Sequence, residues 1–156
     1  MDSSPAVTGI TLDSWALMAW LQGEPAGILV RDLINFGDGK LEAKETVAPF
    51  LQGAVLPPKL YLNMVNLGEV FYLLGRKKGE KVALRTVNRI KLTSIEIVSA
   101  SDELVLKAAS IKMKYPVAYA DAFAIATAKD KKSILMTGDS EIKSVPEVEI
   151  LWLGNS

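Results

Sequence analysis

Cysteine and histidine are both absent from the 156 residues. Without cysteine there is no disulfide, no thiol nucleophile and no thiolate metal site. Without histidine, Ser-His-Asp hydrolysis, histidine-based nuclease chemistry and imidazole-bound zinc are excluded as well. An enzyme built on this chain works with carboxylates, hydroxyls, lysine, arginine or tyrosine. A bias of charge is missing too: Lys+Arg and Asp+Glu number 18 each, for a net charge of zero. A neutral chain is no bulk polyanion binder, so contact with nucleic acid must come from local clusters of basic residues. No apolar run approaches the roughly 20 residues that span a bilayer. The opening MDSSPAVTG carries no basic leader region. These absences predict a soluble, cytoplasmic protein with no membrane partner, and the lack of cysteine fits that compartment.

What is present is ordinary for a globular chain: 49% hydrophobic and 23% charged residues. The length suits one domain over residues 1–156 with a real hydrophobic core. Strands are expected at 7–12, 60–62, 95–98, 133–136 and 148–152. Helical apolar spacing marks 15–21, a segment opened by Glu24-Pro25 and closed at Gly37, then 65–74, 80–91, 101–114, 119–129 and 140–144. Residues 43–51 read as a possible helix and 53–58 as loop, leaving 40–59 the least defined stretch. Short strands alternating with helices predict an α/β fold, a central parallel sheet of about five strands flanked by helices.

In such sheets, ligand sites form outside the C-terminal ends of the strands. Asp13 directly follows the first strand, and Asp139 lies three residues beyond Met136. Glu69 and Asp121 lie in the first turns of apolar helices, flanked by Leu67, Val70 and Phe71, and by Ala120, Ala122 and Phe123. Any one of these acids is explained as a helix cap or turn residue. Glu69 is the hardest to explain so, being too far into its helix to cap it. If the four converge, repulsion is large: two unit charges at 4 Å interact by roughly 4 kcal/mol at an effective dielectric of 20. With no histidine to share the charge, a divalent cation is the natural neutraliser. An all-oxygen site favours Mg²⁺ or Mn²⁺ over zinc and suits phosphodiester hydrolysis.

Two other acidic α/β chemistries fit poorly. A phospho-acceptor receiver domain expects adjacent acids at the end of the first strand and a lysine after the last. Here Asp13 stands alone, and the chain ends Leu153-Gly154-Asn155-Ser156. An aspartate-nucleophile phosphohydrolase expects Asp-x-Asp where this chain has Asp13-Ser14-Trp15.

The phrases Leu12-Asp13-Ser14, Val65-Asn66-Leu67-Gly68-Glu69-Val70, Tyr119-Ala120-Asp121-Ala122-Phe123 and Thr137-Gly138-Asp139 occur in that order. In order and separation they resemble the PIN-domain family, and the resemblance covers almost the whole chain. Within the family the chain is similar to the small VapC-like ribonuclease toxins of type II toxin–antitoxin systems. That resemblance implies a PIN-like three-layer fold and a metal-dependent endoribonuclease. It implies RNA as substrate, neutralisation by a small antitoxin protein, and a homodimer. By position it makes Asp13, Glu69, Asp121 and Asp139 the catalytic and metal-binding acids. The first three are expected to hold one Mg²⁺ or Mn²⁺, which Asp139 completes or supplements with a second ion. Ser14 and Thr137 resemble the hydroxyl positions that support metal or phosphate. Relatives often carry serine before the third acid; here Ala118 stands there, which weakens a helix cap and removes no ligand. The alternatives are a PIN fold kept as a non-catalytic RNA- or protein-binding module, and a PIN nuclease in RNA processing rather than a toxin.

Arg76, Lys77 and Lys78 form the one obvious basic cluster. They are candidate phosphate contacts, although a solvated helix end whose cations suit the dipole explains them more simply. The run Lys129-Asp130-Lys131-Lys132 reads as a surface turn. Trp15, Trp20 and Trp152 are expected in core or interface. Tyr119 borders the acids, placed either to stack on a base or to pack.

Overall fold

The β-rich apolar tetrapeptide Gly9–Leu12 forms β1 and is buried along its whole length. A strand covered on both faces must be apolar on both, and this one is central. The structure, a computed structural model, describes residues 7–51 and 56–154. Part of the expected loop at 53–58 lies outside them. The other strands are β2 (Lys59–Asn63), β3 (Ile95–Val98), β4 (Ile134–Thr137) and β5 (Ile150–Trp152). They make one five-stranded sheet in the order β3-β2-β1-β4-β5, with every pairing parallel. The expected central parallel sheet is therefore observed.

The helices are α1 (Ser14–Leu21), α2 (Gly27–Gly37), α3 (Lys44–Val47), α4 (Met64–Lys78), α5 (Glu80–Lys91), α6 (Asp102–Lys114), α7 (Tyr119–Asp130) and α8 (Ser140–Lys143). Side chains alternate along the strands and so feed two cores. Ile10, Leu12, Leu60, Leu62 and Met136 pack with α1, α2, α4 and α5 residues such as Leu17, Leu33, Leu67 and Ile90. Leu135 points to the other cluster, with Ala108, Ile111, Ala124, Ile125 and Ile142. Two helical layers around one sheet complete the three-layer arrangement. Helix α7 is small and apolar on almost every side, and all residues from Asp121 to Ala128 are buried.

Some boundaries differ from expectation. Helix α4 runs four residues past Leu74, because Gly75 sits inside it against α5, where an added Cβ would meet Ala83 Cβ at 3.9 Å. The chain stops at Gly79, whose φ of 92° glycine alone adopts readily. Glu24 and Pro25 form a turn ahead of α2 rather than its first residues. The stretch 41–50 is three short helical turns, Leu41–Ala43, α3 and Ala48–Phe50, instead of one helix.

The topology fixes the reactive edge. From β1 the chain runs outward through β2 to β3, then returns to add β4 and β5 on the other side. The direction of winding reverses between β1 and β4, and a crevice opens at their C-terminal ends.

Candidate active site

The C-terminal ends of β1 and β4 deliver Asp13 and Thr137 to this crevice. Asp13 caps α1: its Oδ1 accepts from the Ala16 amide at 2.9 Å. Its Oδ2 accepts from the Thr137 hydroxyl. Thr137 Oγ1 in turn accepts from the Asp139 amide at 3.0 Å. Asp13 is thus both a helix cap and a member of a network that joins two strands. It is 1% exposed, and its pKa is raised to about 7, mainly by burial and further by the charge of Asp139.

Beside it is a cleft of about 510 Å³ lined by Ser14, Glu69, Asp121, Asp139 and Glu141 among others. Asp121 lies in the first turn of α7, where the helix dipole favours a carboxylate. Ala118 occupies the N-cap position and offers no side-chain hydrogen bond. Asp121 is buried, and its pKa is pushed up to about 7 by that burial, then by repulsion from Asp139, Asp13 and Glu69. Of the four acids singled out in the sequence, Glu69, Asp121 and Asp139 line this cleft, and Asp13 lies close enough to repel Asp121.

Glu69 is the sixth residue of α4, in the second turn rather than the first, because Asn63 caps that helix by accepting from the Val65 amide at 2.9 Å. Its Oε1 accepts from the Ser14 hydroxyl and its Oε2 from Tyr72 Oη at 3.4 Å. Ser14 and Thr137 thus each hold a different acid, and neither stands apart as a free hydroxyl. Asp139 caps the single-turn helix α8, its Oδ1 accepting from the Glu141 amide at 2.9 Å.

Three residues at the site escaped the sequence reading. One carboxylate oxygen each from Asp121, Asp139 and Glu141 lie within 4.8 Å of one another. The signal for Glu141 is a second acid two positions beyond Asp139, in the first turn of α8. Asn66 is fully buried and donates to the Ala120 carbonyl at 3.0 Å, tying α4 to the residue before Asp121. An asparagine in an apolar helix, three residues before Glu69, was its signal. Gly138 passes so close to Trp15 that an added Cβ would lie 2.3 Å from the indole. No sequence pattern reveals that approach.

The basic cluster divides. Lys77 lines the cleft, Lys78 lines a separate groove with Trp20 and Ile90, and Arg76 stacks 5.1 Å above the Tyr72 ring. Tyr119 is 43% exposed and packs its ring 5.1 Å from that of Phe123. Lys129 and Lys131 pair with Glu147 and Glu96. Trp15 and Trp20 are half-buried, at the walls of the cleft and of the Lys78 groove. Among the described residues no helix is long and apolar enough to cross a membrane.

The donor set decides what the site could hold. Every side-chain donor is oxygen, the carboxylates outnumber any nearby cation, and none of the four expected acids makes an ion pair among the described residues. That chemistry fits a hard divalent cation.

The PIN domain family model matches residues 10–148. No curated protein matches the sequence significantly. In fold the chain is similar to one from the DNA-bound VapBC complex of Salmonella typhimurium, with a TM-score of 0.65 at 12% identity, covering 94% of this chain and 99% of that one. It is similar to VapC20 of Mycobacterium tuberculosis, described as a sarcin-ricin loop cleaving toxin. There the TM-score is 0.61 at 20% identity, covering 91% of this chain and 98% of that one. A chain from a Klebsiella pneumoniae toxin–antitoxin complex gives a TM-score of 0.57 at 16% identity, with 90% and 95% covered. At these identities the likeness is one of fold.

Proposed function

The chain belongs to the PIN domain family, and from that premise we propose that it is a Mg²⁺- or Mn²⁺-dependent endoribonuclease, the toxin of a VapBC-like pair. The observation that carries the reading is that Glu69, Asp121 and Asp139 line one cleft beside Asp13 at the switch point, with none of the four in an ion pair among the described residues. Its partners on this reading are RNA, a small antitoxin protein and a second copy of the chain, in the cytoplasm.

Asp13, Glu69, Asp121 and Asp139 would hold the cation. The chemistry it supplies when bound is neutralising charge, polarisation of the phosphodiester and activation of water. The residues around the acids orient them. Thr137 donates to Asp13 and Ser14 donates to Glu69, so each carboxylate presents a defined edge. Near neutral pH, Asp13 and Asp121 retain protons that cation binding displaces. Lys77, on the cleft wall, supplies positive charge for an RNA phosphate.

The test is cleavage of cellular RNA with mapped 5′ ends, in Mg²⁺ or Mn²⁺ and in excess EDTA, for the intact protein and Asp121→Asn. Cleavage is expected only with metal and the intact acid. Undiminished cutting in EDTA would sink the metal mechanism. RNA retained but uncut in Mn²⁺ would make the protein a binding module instead.

A further inference from the structure

We propose that the outer face of the α4–α5 hairpin, with the row Lys81, Arg85 and Arg89 on α5, holds the RNA backbone outside the cleft. The inference rests on the reading that the substrate is RNA, and it gives that substrate a foothold away from the acids.

Charge distribution is the first argument. The chain as a whole is neutral, but residues 76–91 hold 7 of its 18 basic residues and 1 of its 18 acids, Glu80. The rest of the chain is left with 11 basic and 17 acidic residues. Arg76, Lys77 and Lys78 end α4, while Lys81, Arg85, Arg89 and Lys91 lie on α5, and all are exposed. None of them makes an ion pair among the described residues. Such a patch is the local cluster that a neutral chain needs to bind a polyanion.

The helix itself is the second argument. Lys81, Arg85 and Arg89 recur at every fourth residue, so they stand in one row, about 6 Å apart along the axis. At that spacing α6 sets opposite charges together, Glu103 and Lys107 at 3.0 Å. Helix α5 sets three like charges together, which costs helix stability. Helix-end electrostatics does not account for the row. Lys81 lies in the first turn, where the dipole opposes a cation, and Arg85 lies mid-helix; only Arg89 and Lys91 sit in the last turn, where cations are favoured. Ala83, Val87 and Ile90 form the buried side of the helix, and the row is left to solvent.

Continuity with the cleft is the third argument. Lys77 lines the cleft, and Lys78 and Arg89 line the neighbouring groove. Positive charge therefore continues from the cleft wall onto α5. Asp38, the acid on that groove, accepts at Oδ1 from the Ser94 amide at 2.8 Å. Between the row and the acids stands Tyr72, 46% exposed, with its hydroxyl 3.4 Å from Glu69 Oε2 and the Arg76 guanidinium 5.1 Å over its ring. Aromatic and guanidinium planes are the surfaces on which unpaired bases stack. That pairing of stacking groups with backbone cations favours an RNA strand over an acidic peptide.

The experiment is a salt titration of binding between the full chain and a fluorescently labelled unstructured RNA, in EDTA to stop metal-dependent cutting. Wild type is compared with Lys81→Gln/Arg85→Gln/Arg89→Gln, and with Lys107→Gln/Lys114→Gln/Lys132→Gln, which removes equal charge on the α6–α7 side. The α5 variant is expected to bind about tenfold more weakly or worse at about 0.1 M salt. Its plot of log affinity against log salt should be shallower by about 2, at about 0.7 per phosphate contact for a single strand. The α6–α7 variant should match wild type. Lys81→Arg/Arg85→Lys/Arg89→Lys, which keeps the charges, should retain binding. Unchanged affinity and slope in the α5 variant, an equal loss in the α6–α7 variant, or a charge-keeping variant as weak as the glutamine one would overturn the surface. So would displacement of the RNA by poly-glutamate as readily as by unlabelled RNA, which would make the face a protein-docking one. None of these results touches the nuclease reading, which stands or falls on metal-dependent cleavage. The α5 variant should melt at or above the wild-type temperature, since it relieves like-charge repulsion, and that control separates lost contacts from misfolding.

Discussion

On the α6–α7 face, Lys107 bridges Glu103 at 3.0 Å and Asp130 at 3.1 Å, and Lys129 pairs with Glu147. At the β1–β4 crevice, Asp13, Glu69, Asp121, Asp139 and Glu141 face one another with no such partner among the described residues. The consequences run in opposite directions. Hydrogen bonds from Lys129 and Tyr115 hold the Glu147 carboxyl below its usual range. Burial and mutual repulsion push Asp13 and Asp121 up to about 7. The first face satisfies its acids from within the chain. The second leaves its acids without ion pairs among the described residues, and two of them hold their protons up to about neutral pH instead.

The sharpest way to break the comparison is to remove an unpaired acid. Asp121→Asn should cut metal-dependent RNA cleavage by roughly a hundredfold or more, as loss of a few kcal/mol of transition-state stabilisation predicts. Cleavage rates that match wild type would mean the crevice is only a tolerated cluster. Next is Gly138→Ala, whose new methyl must displace the Trp15 indole. Overpacking of this kind costs roughly 1–3 kcal/mol. A lowered melting temperature, a shifted tryptophan emission and a roughly tenfold slower cleavage are expected, and an unchanged emission would show that the loop simply moves aside.

The pH dependence has a definite sign. In the folded, metal-free protein Asp13 and Asp121 titrate near 7, against about 3.8 in the unfolded chain. Groups with raised folded pKa values bind protons more tightly when folded. Their contribution is fully present below about pH 4 and is lost as pH rises through about 7. Melting temperatures of EDTA-stripped protein should therefore fall between about pH 5 and pH 8, and Mn²⁺ should restore them most at the upper end. A midpoint that climbs over that window would contradict the raised pKa values.

The smallest effect belongs to the paired face. Lys107→Gln removes two exposed, solvent-screened ion pairs and should shift the denaturation midpoint only slightly. Chemical denaturation would measure that, and RNA cleavage should stay at the wild-type rate. A large loss of cleavage would erase the distinction between the two faces.

Much of this was legible beforehand because it depends on local pattern. The strand expected at 133–136 is observed as Ile134–Thr137, and the helix expected from Ser101 starts behind that residue, whose hydroxyl accepts from the Leu104 amide. The extension of α4 through Gly75 was not legible, because the packing of α5 against it overrides the glycine. The order of the acids along the chain could be read, but their division of labour could not. Asp13, readable from its position as either a cap or a metal ligand, is hydrogen-bonded at both oxygens, while Glu141, which no motif marked, stands with Asp121 and Asp139.

By itself, then, the sequence limited which donors a site could use and set the class of fold. The absence of cysteine and histidine leaves only oxygen donors, and the alternation of strands and helices leaves a parallel sheet with a crevice at its carboxyl edge. Only the tertiary structure decided which acids meet, which hydroxyl holds which carboxylate, and which of three adjacent cations faces the cleft. Those outcomes depend on where β1 and β4 lie side by side, 124 residues apart at the Asp13–Thr137 contact, and on how closely Gly138 lets the chain pass over Trp15. Neither separation nor approach is written in any local run of residues.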